Sequence, residues 1–236
     1  MSELRVRALR GIGDVVAGDS VADLIVRALA ESDETIVDRD VVVVTSKIVS
    51  KSEGRVVPFA DEPGEREALI ASESRRILRR RGPLRITETH HGFVNANAGI
   101  DHSNTVAGTA VLLPKDPDRS ARRIRADLRR RLSVDVGVVV TDTFGRAWRH
   151  GVVDVAIGSA GLRAILDLRG TTDGYGHTLD VTEVALVDEI ASTANLVLGK
   201  AARTPVALIS GLSPDYFGEG SVLDDVVRPP SGDLFR

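Results

Sequence analysis

Cysteine is absent from the 236 residues. That excludes a disulfide framework, a thiolate metal site and a thiol nucleophile. Aromatic residues make up only 3% of the chain, too few for a protein that stacks successive bases of a single strand. No apolar run reaches the ~18 residues that a membrane-spanning helix needs. The N-terminus lacks the basic-then-apolar pattern of a secretory signal. Neither sign of charge dominates: 31 Lys and Arg face 34 Asp and Glu, for a formal net charge of -3. Bulk attraction to nucleic acid or to an anionic membrane is therefore not expected. No internal repeat, low-complexity linker or clear domain boundary interrupts the sequence. The expectation is a soluble, cytoplasmic protein with one domain over residues 1–236, built as one unit or two intimate halves.

What is present is chemistry placed at the ends of apolar strands. Val138-Val139-Val140 is β-branched and uncharged, as in a strand covered on both faces. The strand is expected to stop at Thr141-Asp142-Thr143, and Gly145 then lets the backbone turn before Arg146 and Arg149. A hard cation needs oxygen ligands and a phosphate oxygen needs arginine, so the segment offers both. The plain alternative is an Asp turn with two surface arginines. Val41 to Val44 is a second buried strand, followed directly by Thr45-Ser46-Lys47-Ile48-Val49-Ser50-Lys51. On a helical turn Lys47 and Lys51 share one face, where like charges repel unless an anion lies between them. A phosphate clamp is favoured over a solvated lysine pair, because α/β proteins bind ligands at the carboxyl ends of parallel strands. The glycine spacing of a Walker A loop is missing.

Ile86 to Asn104 is the second dense stretch. His90 and His91 are adjacent and, on a strand, point to opposite faces, which disfavours joint metal ligation. Small residues and two asparagines around Gly99 imply close backbone packing beside a ligand. Asp101-His102-Ser103-Asn104 adds oxygens and an amide, or is simply a polar turn. Gly11-Ile12-Gly13-Asp14 follows a strand from Leu4 to Leu9, and its N–H groups can face an anion or merely turn the chain. Helices are expected from Asp19 or Ser20 to Leu29, from Pro63 to Arg81, from Asp116 to Leu132, and from Thr182 to Gly199. The arginines ending the second of these read as solvated or partner-facing, with Gly82-Pro83 as the stop. Val152 to Ile165 suits a tightly packed central segment, and Pro205 to Ile209 a last core strand. Polar loops run from Asp167 to His177 and from Pro214 to Gly220.

Taken in their order and spacing, four motifs resemble the coenzyme F-420:L-glutamate ligases, also called F-420-0 γ-glutamyl ligases. They are Thr45 to Lys51, Asn97 to Asn104, Thr141 to Arg149, and Asp188-Glu189-Ile190 before Gly199-Lys200. The resemblance covers nearly the whole chain. It implies an α/β fold of mixed sheets with packed helices, particular to these ligases, and an intertwined homodimer. It implies GTP-dependent joining of L-glutamate to the terminal carboxylate of the deazaflavin coenzyme F-420-0, releasing GDP and phosphate, with further glutamates added through γ-linkages. It implies Mn2+ or Mg2+ at two sites, with K+ as a further aid. In actinobacterial members the domain is the N-terminal half of a protein whose other half is a flavin-binding, nitroreductase-like domain. With its end at Asp233-Leu234-Phe235-Arg236, this sequence is expected to be the stand-alone form or one cut at that boundary.

Carried over by motif, Asp101 and Asp142 match the metal-binding aspartates, and Thr143 a second-metal position. Ser46, Lys47, Lys51 and Asn104 match nucleotide contacts, as does Ile12-Gly13-Asp14-Val15. Gly218-Glu219-Gly220 falls where the family completes its nucleotide and metal site, which makes Glu219 a candidate ligand. The chemistry suits these residues. Making an amide from a carboxylate needs a better leaving group than hydroxide, and γ-phosphoryl transfer supplies one. Lys47, Lys51 and Arg146 or Arg149 then offset phosphate charge. Arg146, Arg149 and Arg169 are also candidates to hold the acceptor's phosphodiester and carboxylate. The alternatives are a related ligase on another carboxylate, a metal-dependent phosphohydrolase, and a non-catalytic nucleotide-binding module.

Overall fold

The computed structural model describes residues 3–103, 105–199 and 204–234. In chain order the elements begin with β1 (Arg5–Leu9), α1 (Val21–Ala30), β2 (Val41–Thr45), α2 (Ser46–Ser52) and β3 (Val56–Pro58). Next come α3 (Pro63–Ser72), β4 (Ser74–Arg81), β5 (Leu84–Thr89), β6 (Val94–Ala96) and β7 (Thr109–Val111). Then follow α4 (Pro117–Leu132), β8 (Gly137–Arg146), β9 (Arg149–Ala160), β10 (Leu166–Asp167), β11 (Glu183–Val184), α5 (Leu186–Asn195) and β12 (Val206–Ser210). The class is mixed α/β, as the sequence predicts. Among the described residues no helix is long and apolar enough to cross a membrane.

The main sheet has the order β1-β12-β2-β8-β9. Only the β2–β8 pair is parallel; its neighbours are antiparallel. Val41 to Val44 and Val138 to Val140 are fully buried, which requires cover on both faces of the sheet. α1 and α4 pack on each other, α4 also lies along β8 and β9, and α5 crosses the sheet strands separately. α1 starts where expected: the Ser20 side chain accepts from the Asp23 N–H and caps it, while Asp19 instead accepts from Val16. Asp116 caps α4 through the Arg119 N–H, and Ser133 in the left-handed region ends it.

Three segments depart from the sequence expectation. The helix from Pro63 ends at Ser72, and residues 74–81 form β4, hairpinned to β5 through Gly82-Pro83. The strand wins because Glu88 on β5, almost buried, binds both Arg75 and Arg76, and Glu67 binds Arg80 and Arg85. A register shift between Ser74 and Arg76 lets two adjacent arginines reach one carboxylate. The last helix begins at Leu186, not Thr182, because Glu183 pairs with Asp167 in a short ladder. It ends at Asn195, short of the expected Gly199. The strand at Val138 does not stop at Thr141. It runs on to Arg146, and the turn falls at Ala147-Trp148, with Trp148 rather than Gly145 at positive φ (58°). The segment after Arg149 is an edge strand of this sheet, not a central one.

One buried carboxylate fastens the α4 side of the sheet. Asp118, in the first turn of α4, is 2% exposed. It accepts from the N–H of Ser159 (2.7 Å), Val222 (3.1 Å) and Leu223 (3.0 Å), and from the Ser221 hydroxyl (2.8 Å). The approach is close: a Cβ on Gly158 would lie 2.3 Å from the Pro117 backbone. Removing a buried acceptor strands its donors at about 1–3 kcal/mol each. Asp118→Ala is therefore expected to lower unfolding free energy by about 3 kcal/mol. Urea titration followed by circular dichroism measures this; a loss below about 0.5 kcal/mol would show that water replaces the carboxylate.

Candidate active site

β2 ends at Thr45, whereas β8 runs on beyond their shared ladder. Thr45 pairs with Thr141 in the parallel ladder, and both chains then enter a cleft of about 660 Å³. Past Thr45 the chain turns into α2. Ser46, at its first position and 6% exposed, donates its hydroxyl to Asp142 Oδ1 at 2.8 Å. Lys47 and Lys51, one turn apart, both line the cleft, as do Ser46 and Ser50. The expected helical lysine pair is thus present.

Asp101 reaches the same cleft from a third direction. It bridges to Val111 through two backbone hydrogen bonds, 3.0 and 2.7 Å. Just before it, Asn97, Ala98 and Gly99 all take positive φ (50°, 56° and 69°). Ala98 is strained there, and its N–H is held by Thr87 Oγ1 at 2.9 Å, while Asn97 Oδ1 holds the Arg85 N–H at 2.8 Å. This turn delivers Asp101 to Lys47: Nζ lies 2.8 Å from Asp101 Oδ2 and 2.7 Å from the Ser103 carbonyl. Burial opposes the Asp101 charge, but Lys47 and Ser103 outweigh it and hold the carboxyl below its usual range.

Asp142 is in the opposite state. Burial pushes its carboxyl up to about 7, and the nearby Asp101 and Asp154 push the same way; the Ser46 hydroxyl pulls it back only in part. It retains some accessible surface, so it is sunk into the cleft floor without being sealed from it. Asp154, from β9, is 4% exposed and accepts the Thr143 hydroxyl at 2.6 Å. The cleft thus gathers Asp101, Asp142 and Asp154 beside Lys47 and Lys51. The buried hydroxyls of Ser50, Thr141 and Thr204 line it too, and none has a hydrogen-bond partner among the described residues.

The donors are all oxygens, which suits a hard cation. Among the described residues, however, no three His, Asp or Glu side chains converge closely enough to cage a metal. A cation here would need oxygens from a ligand as well, which is how Mg2+ is commonly held between one or two carboxylates and phosphates.

The structure sorts the sequence candidates. Ile12, Gly13, Asp14, Val15, Ser46, Lys47, Lys51, Asp101, Asp142 and Thr143 come together around the cleft. Asn104 and Lys200 lie outside the described residues. Arg146 and Arg149 do not line the cleft; they stand exposed at the tip of the β8–β9 hairpin, where Arg146 donates to the His150 carbonyl. Arg169 is occupied by Asp167 and Glu183. Glu219 is exposed on a loop and does not line the cleft; its neighbour Gly220 packs on the backbone of Leu162 and Ala164. His90 and His91 each contact backbone carbonyls, of Ser72 and of Pro114 and Lys115. Asp154 is the residue that sequence reasoning misses. A lone acid inside Val152-Val153-Asp154-Val155-Ala156-Ile157 is the signal that could have found it.

Residues 11–211 match the family model described as F420-0:Gamma-glutamyl ligase. The chain is 38% identical to a coenzyme F420:L-glutamate ligase of Methanothermobacter thermautotrophicus, covering 97% of each chain. It is 42% identical to the protein of that name from Methanopyrus kandleri, over 93% of this chain and 92% of the relative. Against the one from Halobacterium salinarum it is 41% identical, over 97% of this chain and 94% of the relative. A family match across most of the sequence, joined to full-length relatives at this identity, places the chain in the F-420-0 γ-glutamyl ligase family.

Proposed function

We propose that this protein is a GTP- and divalent-metal-dependent ligase that joins L-glutamate to the terminal carboxylate of coenzyme F-420-0 and extends the γ-linked tail. Family membership supports the ligation. The observation that carries the nucleotide and metal part is the meeting of two α2 lysines with Asp101 and Asp142 in one cleft.

The Lys47 ammonium already stands against Asp101 as a stand-in cation, and Asp142 has no ion pair among the described residues. Asp101 and Asp142 would hold the metal, with Thr143 beside them. When bound, a divalent cation would supply positive charge that offsets the charge on phosphate. Lys47 is engaged with Asp101 and Ser103, whereas Lys51 has no partner among the described residues and is available to a phosphate. The loop Ile12 to Val15 lines the same cleft. In the proposed reaction the acceptor carboxylate oxygen takes the γ-phosphoryl group and GDP leaves. The glutamate amine then attacks that carbonyl carbon: the C–N bond forms, the C–O bond breaks, and phosphate and a proton depart. The homodimer belongs to the same reading.

Incubation with GTP, Mn2+, F-420-0 and glutamate is expected to give a glutamylated product by mass spectrometry, with phosphate released only when acceptor and glutamate are both present. EDTA is expected to stop both. Phosphate release from GTP alone would make the protein a hydrolase. Asp142→Asn is expected to lower ligation about 100-fold or more and weaken Mn2+ binding, with the fold intact by circular dichroism; wild-type turnover would remove Asp142 from the site. Lys51→Ala is expected to raise the apparent KM for GTP about tenfold, worth ~1.4 kcal/mol. A change confined to the glutamate dependence would move Lys51 to the amino-acid side.

A further inference from the structure

We infer that Asp154 is a positioning residue of this site, which accepts the hydrogen bond of the Thr143 hydroxyl so that the Thr143 oxygen faces the cleft purely as an acceptor. The inference rests on the cation-holding reading of Asp101 and Asp142 given above. Thr143 and Asp154 are direct partners across the β8–β9 ladder, and Thr143 Oγ1 donates to Asp154 Oδ1 at 2.6 Å. Both line the cleft beside Asp142. A hydroxyl carries one proton and two lone pairs. With the proton committed to Asp154, the oxygen has only lone pairs to offer. It therefore suits a cation and is a poor match for a phosphate oxygen, which needs a donor.

The Asp154 charge is hard to explain as a structural tie. The residue is 4% exposed, and among the described residues its carboxylate receives one hydrogen bond, from Thr143. The ladder already joins the two strands, and α5 already holds this position through Ser192, whose hydroxyl donates to the Asp154 carbonyl at 2.8 Å. An asparagine could tie the strands with one hydrogen bond at a smaller desolvation cost, but its amide can also donate, so it would not oblige the Thr143 hydroxyl to be the donor. A buried charge with so little compensation makes sense if positive charge arrives from the cleft. Carboxylates that orient a metal's ligands from behind act in this way.

The test is a Mn2+ titration of the full chain with GDP present, following free Mn2+ by electron paramagnetic resonance. Asp154→Asn is expected to weaken Mn2+ binding about 10- to 100-fold while its thermal midpoint stays level or rises. Thr143→Val should show a similar loss and Thr143→Ser should not. The Asp154→Asn, Thr143→Val double variant should bind no more weakly than the worse single one, because both act through one oxygen. Wild-type affinity in Asp154→Asn, losses that add in the double variant, or an Asp154→Asn protein that unfolds more easily would each overturn the inference. Asp142→Asn separates the two layers. If it weakens Mn2+ binding and Asp154→Asn does not, only this inference fails; if neither does, the cation reading fails with it.

Discussion

Because β2 and β8 run parallel and in register, the residues that follow Thr45 and Thr141 emerge side by side at one end of their shared ladder. The Ser46 hydroxyl can therefore reach Asp142 although 96 positions separate them. An antiparallel pair would have sent the two segments to opposite ends of the sheet. The lysines of α2, the aspartate of β8 and the carboxylate that β9 adds across the ladder all inherit their places from this one pairing. Burial of Val41 to Val44 and Val138 to Val140 keeps it fixed, since a slip of one residue would turn every side chain to the other face.

Bringing acids together in a cleft is unfavourable, and the structure offsets the cost unevenly. Asp101 receives an ammonium and lies on the accessible side. Asp142 receives a single serine hydroxyl, and its carboxyl responds by rising toward neutrality. Asp154 receives a threonine hydroxyl. Positive charge is present but stands to one side, on Lys47 and Lys51. Only Asp101 is closed into an ion pair among the described residues; Asp142 and Asp154 are held by hydroxyls. The strained turn at Asn97 to Gly99 has the same logic: backbone cost is accepted to point Asp101 inward.

Much of this was legible in the residues. Uninterrupted valine runs marked both core strands, and the polar residues directly behind them marked the cleft. Capping residues located the starts of α1 and α4. What the sequence hid was set by partners remote in the chain. β4 looked helical because its arginines make sense only once Glu88 and Glu67 are opposite them. Arg146 and Arg149 looked like site residues because the strand carrying them was expected to end at Thr141; the five further residues of β8 carry them out to the hairpin tip. Asp154 was overlooked because its meaning comes from the strand across from it.

The order of the sheet also bears on how the chain is made. β2 is synthesised early, but its two neighbours are β8, beginning at Gly137, and β12, beginning at Val206. Until the second of these leaves the ribosome, four consecutive valines have an open hydrogen-bonding edge. Such a segment is a template for the wrong partner, including another nascent copy of itself. The early α1, rich in buried apolar positions, is available to cover one of its faces, but not its edges. Correct assembly therefore depends on the slow, long-range step in which a late strand slides in between β1 and β2.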